Sequence, residues 1–159
     1  MMPHLPYPAA TLPPTPAFFT GKDVKQLPRG TTVLIAPFTV SYADIAPQIW
    51  QEESGMWFRM PDGYIFTPSP KGPIYGPAPT ELGGALQGIA IGGSLGIPGP
   101  PFSPAVRSQL LATLRTWNAS YVIVGPMPYR SRAVTFFYSL FGTPPRQVGG
   151  VESWSVPRT

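Results

Sequence analysis

The densest chemical stretch of the chain is Trp50 to Tyr64, WQEESGMWFRMPDGY. It sets Glu52, Glu53, Arg59 and Asp62 among Trp50, Trp57, Phe58 and Tyr64. Carboxylates accept hydrogen bonds from sugar hydroxyls, and aromatic faces cover the apolar face of a sugar ring. Trp50, Glu53, Trp57, Arg59, Asp62 and Tyr64 are therefore candidate carbohydrate contacts. Paired carboxylates can also do acid and base work. Glu52 and Glu53, however, are consecutive on an expected helix and point about 100° apart, so they do not face each other. A second reading of the same residues stays open: a helix end, an ion pair from Arg59 to a carboxylate, and a buried aromatic cluster.

A second candidate lies in Gly125 to Arg132, GPMPYRSR, which follows an apolar run and opens an expected helix. Helix-start amides and the helix dipole favour an anion, and Tyr129, Arg130 and Arg132 stand beside them. The alternative is a tight turn with two solvated arginines. Gly84, Gly88, Gly92 and Gly96 recur every fourth residue, a spacing that allows close approach of another element. No Gly-Lys-Ser/Thr follows and no strand precedes them, so neither a phosphate loop nor a dinucleotide fingerprint is present, and no cofactor is expected.

What is missing limits the chemistry. There is no Cys, which excludes disulfides and thiolate metal sites, and the single His is His4, inside a Pro-rich lead-in. No metal-ligand set and no nucleophile-elbow Ser is seen, and no catalytic residue is assigned. The net charge is +4, but the eleven Lys and Arg residues are scattered with none adjacent, unlike the stripe of a nucleic-acid binder. Residues 1–20 show no signal-peptide pattern. Leu82 to Phe102 is uncharged, yet seven glycines and three prolines interrupt it as a membrane span.

These candidates need a scaffold, and 159 residues with 43% hydrophobic content make one domain with a real core. Charged residues are only 11%, and the 24 prolines and 17 glycines concentrate in 3–16 and 61–104. Residues 1–20 read as an extended Pro-rich strap, with Phe18 and Phe19 anchoring its end. Residues 21–159 read as a single α/β domain, with 68–103 an irregular insertion holding one short helix. A helical turn is expected at Lys22 to Leu27. Thr32 to Ala36 (TVLIA) is apolar on both faces, as in a central parallel strand. Helices are expected at Ser41 to Gly55, capped by Ser41 or Asp44, from Thr80-Glu81 with Leu82, Leu86 and Ile89 inward, at Ser103 to Asn118, and at Arg132 to Phe141 capped by Ser131. Strands are expected at Met56 to Met60, Tyr64 to Thr67 and Tyr121 to Gly125. A final pair flanks Gly149-Gly150, with Trp154 and Val156 alternating as on a half-exposed edge. This order predicts a three-layer α/β/α fold on a small parallel or mixed sheet. In such sheets ligands sit beyond the carboxyl ends of the strands, here the loops Pro37 to Asp44 and Gly125 to Arg132.

The order APF (Ala36 to Phe38), WQxxSGMxFRMPxGY (Trp50 to Tyr64), Leu110 to Trp117, VxVGPMP (Val122 to Pro128) and VGGVxxW (Val148 to Trp154) resembles a family of actinobacterial multi-pass membrane proteins. They are described as GT-C-like glycosyltransferases that use polyprenyl-phosphate sugars. The similar segment is the soluble region after their last membrane helix, and the resemblance covers nearly all of residues 5–156. It implies a domain tethered at the cell membrane on the extracytoplasmic face, partnered by its own transmembrane region, with cell-wall glycan transfer centred in that membrane portion. The expected function is then a non-catalytic domain that binds or positions a glycan or lipid-phosphate sugar, with Arg130 and Arg132 near the phosphate. The alternatives are a purely structural or protein-interaction domain, and a free-standing soluble enzyme.

Overall fold

The computed structural model describes residues 14–39, 44–61, 63, 66–75 and 79–158. Most of the Pro-rich lead-in, Ser41, Asp62 and Tyr64 lie outside them. The elements, in order, are α1 (Ala17–Thr20), a 3-10 turn (Val24–Gln26), β1 (Thr32–Ala36), α2 (Ala46–Glu53), β2 (Phe66–Thr67), β3 (Ile74–Tyr75), α3 (Glu81–Ala90), α4 (Pro104–Thr116), β4 (Ala119–Val124), α5 (Arg130–Phe141), β5 (Arg146–Val148) and β6 (Val151–Ser155).

The main sheet is mixed, in the order β1-β4-β6-β5. β1 and β4 are parallel, with Leu34 level with Val122 and Ala36 with Val124, while β6 runs antiparallel to both β4 and β5. Alternation along each strand divides its side chains between two cores. Leu34, Ala36, Val122, Val124, Trp154 and Val156 face α3, α4 and α5. Val33, Ile35, Ile123 and Val151 face Phe18, Phe19, Val24 and Trp50, from α1, the 3-10 turn and α2. The three-layer α/β/α architecture follows from these two buried faces.

Helix ends are set by local chemistry. The Thr80 and Ser103 hydroxyls accept N–H bonds from Gly83 and Val106 and so cap α3 and α4. Gly142, at φ 72°, closes α5. The last carbonyls of α5 are held by Arg107, whose Nε donates to the Leu140 oxygen at 2.7 Å and whose Nη2 donates to that of Phe141 at 3.2 Å. Arg107→Met is expected to cost about 1 kcal/mol, measured by denaturant unfolding. An unchanged unfolding midpoint would show that these bonds merely replace equivalent ones to water.

Several expectations are corrected. β1 is not central: it ends the hydrogen-bonded order, and β4 and β6 are interior. Apolar residues on both faces report the two helical layers, not two flanking strands. Met56 to Met60 does not form a regular strand. It seals the outer edge of β1 through Val33 N–H to the Arg59 oxygen and Arg59 N–H to the Thr31 oxygen, both 2.8 Å, around one parallel bridge, Thr32 to Arg59. β6 is likewise no edge, because β5 pairs beyond it. α2 begins only at Ala46, with Ile45 at its cap position and no side-chain cap. α5 starts two residues before the expected Arg132, after a left-handed Tyr129 at φ 55°, so Ser131 lies inside the helix and does not cap it. Besides α3, the 68–103 insertion holds β3, which pairs antiparallel with β2 just ahead of the insertion.

Candidate functional site

The chain path separates what the sequence placed together. α2 runs back from the carboxyl end of β1, and the chain then starts along β1 again at its amino end, where Arg59 lies level with Thr32. Gly125, at the start of the second candidate loop, instead donates its N–H to the Ala36 oxygen at 2.9 Å, at the carboxyl end. Four residues of β-strand, roughly 13 Å, lie between the two levels. Trp57 and Arg59 therefore do not join Arg130 and Arg132 in one site.

Trp50 is fully buried, stacked on Phe19 with ring centroids 5.2 Å apart, and its face is closed to any sugar. A Cβ added to Gly125 would lie 2.5 Å from its ring, so the indole fills the space that this glycine leaves. Trp57 is half-buried. Its indole N–H donates to the Leu27 oxygen at 2.9 Å, and the Lys25 ammonium sits 4.0 Å from the ring centroid, with the Arg29 guanidinium at 5.2 Å. Those cations occupy the surface that a ligand would use. Glu53 and Arg59 are exposed, and no carboxylate among the described residues pairs with Arg59. Asp62 and Tyr64 lie outside the described residues.

At the carboxyl edge the two arginines differ. Arg130 pairs with Glu152 and donates to the Gly150 oxygen at 2.9 Å, tying the start of α5 to the β5–β6 turn. Arg132 donates from Nη2 to the Gly93 oxygen at 3.0 Å, its one partner among the described residues. Tyr129 is half-exposed and lies over Gly92, where an added Cβ would meet its ring at 2.5 Å.

Beside Arg132 opens a cavity of about 370 Å³ between α3, residues 95–100 and α5. Buried Ile89 and Phe136, with half-buried Leu95, form its floor; Ser131, Arg132 and Thr135 line its polar side. Of the expected site residues that are described, only Arg132 lines this cavity. Ile89, Leu95, Thr135 and Phe136 carried no sequence signal beyond helical periodicity. The glycine spacing was the one clue: Gly88 lets the chain fold back, with Gly93 N–H bonded to its oxygen at 2.8 Å, and this places the wall at 95–100.

Among the described residues no His, Cys, Asp or Glu trio is grouped as for a metal, and no helix is long and apolar enough to cross a membrane. Comparison with known proteins gives no match to a family model, to a curated protein or to a solved structure.

Proposed function

We propose that this chain is a non-catalytic, extracytoplasmic domain of a membrane glycosyltransferase-like protein, and that it binds or positions a glycan or a lipid-phosphate sugar beside the transmembrane portion. The observation that carries the non-catalytic part is how the reactive-looking side chains are used. Arg130 and Glu152 join α5 to the hairpin, Arg107 closes α5, and Trp57 is bonded to Leu27 beneath two cations. These side chains hold elements together. The carboxyl edge around Arg132 is the surface left for a ligand, in line with ligand placement in α/β sheets.

The purely structural reading is the second one. Trp50, completely enclosed, and the sealing of β1 by residues 57–59 favour it, since the WQEESGMWFRM stretch then serves as core and edge.

Two measurements decide. The reading frame ahead of the chain is expected to encode several hydrophobic spans; an immediate upstream stop codon would sink the tether. Titration of the chain with cell-wall glycan fragments and a short polyprenyl-phosphate sugar, followed by amide chemical shifts, is expected to move signals near Arg130 and Arg132. Silence toward every one of these ligands leaves the structural reading in place.

A further inference from the structure

The geometry points to a small-molecule site in the cavity between α3 and α5, built for an anionic amphiphile: a carboxylate or phosphate head on an apolar body. Its volume of about 370 Å³ falls within the usual range of ligand pockets, roughly 300–1,000 Å³. The interior is divided by chemistry. Ile89, Leu95 and Phe136 present an apolar floor, and Phe102 packs edge-on against Phe136 at 5.0 Å, which stiffens it. Arg132, Ser131 and Thr135 add polar side chains to the lining.

The bond from Arg132 to the Gly93 oxygen uses one of five donors and fixes the side chain in the cavity lining. Among the described residues the other donors have no acceptor, and no acidic residue lines the cavity. A planar guanidinium offering paired N–H groups suits a carboxylate or a phosphate. Arg130 is outside this site, being held by Glu152. An inorganic anion would leave the floor uncovered, and a neutral apolar molecule would leave the guanidinium unmatched. Only a ligand with both parts satisfies both sides. The site stands whether or not the chain is tethered to a membrane.

The test is a chemical-shift titration of the whole chain with octyl phosphate and with octanoate, below their micelle-forming concentrations, beside octanol and inorganic phosphate. Both charged amphiphiles are expected to move amides of residues 89–100 and 131–136. Octanol and inorganic phosphate are each expected to bind about tenfold more weakly or worse, because each lacks one half of the recognition. Arg132→Gln is expected to weaken both amphiphiles about tenfold, while Arg115→Gln, a charge change at the exposed end of α4, leaves them unchanged. Thr135→Phe lies on the exposed side of α5 and is expected to block the cavity with the fold intact, which keeps a readout should the Arg132 variant fail to fold. A preference for one head over the other identifies the source of the ligand and upholds the site. Equal binding of octanol, equal binding of inorganic phosphate, indifference to both Arg132→Gln and Thr135→Phe, or no shifts at all would each overturn it. Because none of these probes is a sugar, their failure is separate from failure of the glycan reading, and an upstream stop codon touches only the latter.

Discussion

Replacing Trp50 by alanine is expected to cost about 3–5 kcal/mol, the range for removing a fully enclosed large aromatic side chain. For a chain of this size that lowers the thermal midpoint by roughly 6–20 °C, and it takes a large share of the 5–15 kcal/mol that typically holds a domain folded. The loss has two parts. Apolar area returns to water, and the space between Phe19, Phe58 and Gly125 cannot close, because α1, β1 and β4 fix its walls. A companion measurement isolates the contact. Gly125→Ala alone is expected to destabilise, since its Cβ would stand 2.5 Å from a ring that has nowhere to go. In the Trp50→Ala background that clash disappears, so the double variant should be more stable than the sum of the two losses predicts. Thermal unfolding of the four proteins reads both effects. An unchanged midpoint for Trp50→Ala would mean that the indole is not part of the core, and would return it to the list of ligand platforms.

Two glycines of α3 are expected to respond with opposite sign to the same substitution. Gly84 has open space around the position of a Cβ, so Gly84→Ala should stabilise by about 0.5–1 kcal/mol through helix propensity and lost unfolded-state freedom. At Gly88 the added Cβ would lie 1.9 Å from the Ser94 carbonyl oxygen, a backbone atom that no rotamer change can remove. Gly88→Ala should therefore destabilise by about 1–3 kcal/mol despite the gain in propensity, as overpacking does. It should also displace residues 94–100 and distort the cavity wall. Denaturant unfolding of the pair is the check. Stabilisation by both would show that the fold-back after α3 gives way freely, and the cavity would lose its fixed wall.

The two sites illustrate how far one-dimensional reading reaches. The aromatic and acidic residues of WQEESGMWFRMPDGY are neighbours in sequence, and the chemistry assigned to them assumed that they stay neighbours in space. The fold instead turns the aromatic residues into core: Trp50 on α2 is carried inward beneath Phe19, Phe58 is buried in the same cluster with Trp57 packed against it, and Arg59 emerges at the amino end of β1. The arginine loop was placed correctly at the end of a strand, since YVIVG followed by a helix start has one geometric solution in an α/β sheet. That Arg130 would be held by Glu152, 22 residues away, left no mark in local pattern.

By itself the chain determined its main helices, the strands β1, β4 and β6, and the faces these bury. β-branched apolar runs, caps at Thr80 and Ser103 and the stop at Gly142 act over a few residues, and alternation within TVLIA and YVIVG already demands cover on both sides. Tertiary structure alone decided that β1 stands at the end of the main sheet and β6 within it, that Trp50 is sealed against Gly125, and that a glycine-permitted fold-back after α3 opens a cavity beside Arg132. The division has a physical cause. Periodicity and capping are properties of a local stretch of backbone, whereas strand order, close approach and enclosed space depend on contacts between segments far apart in the chain.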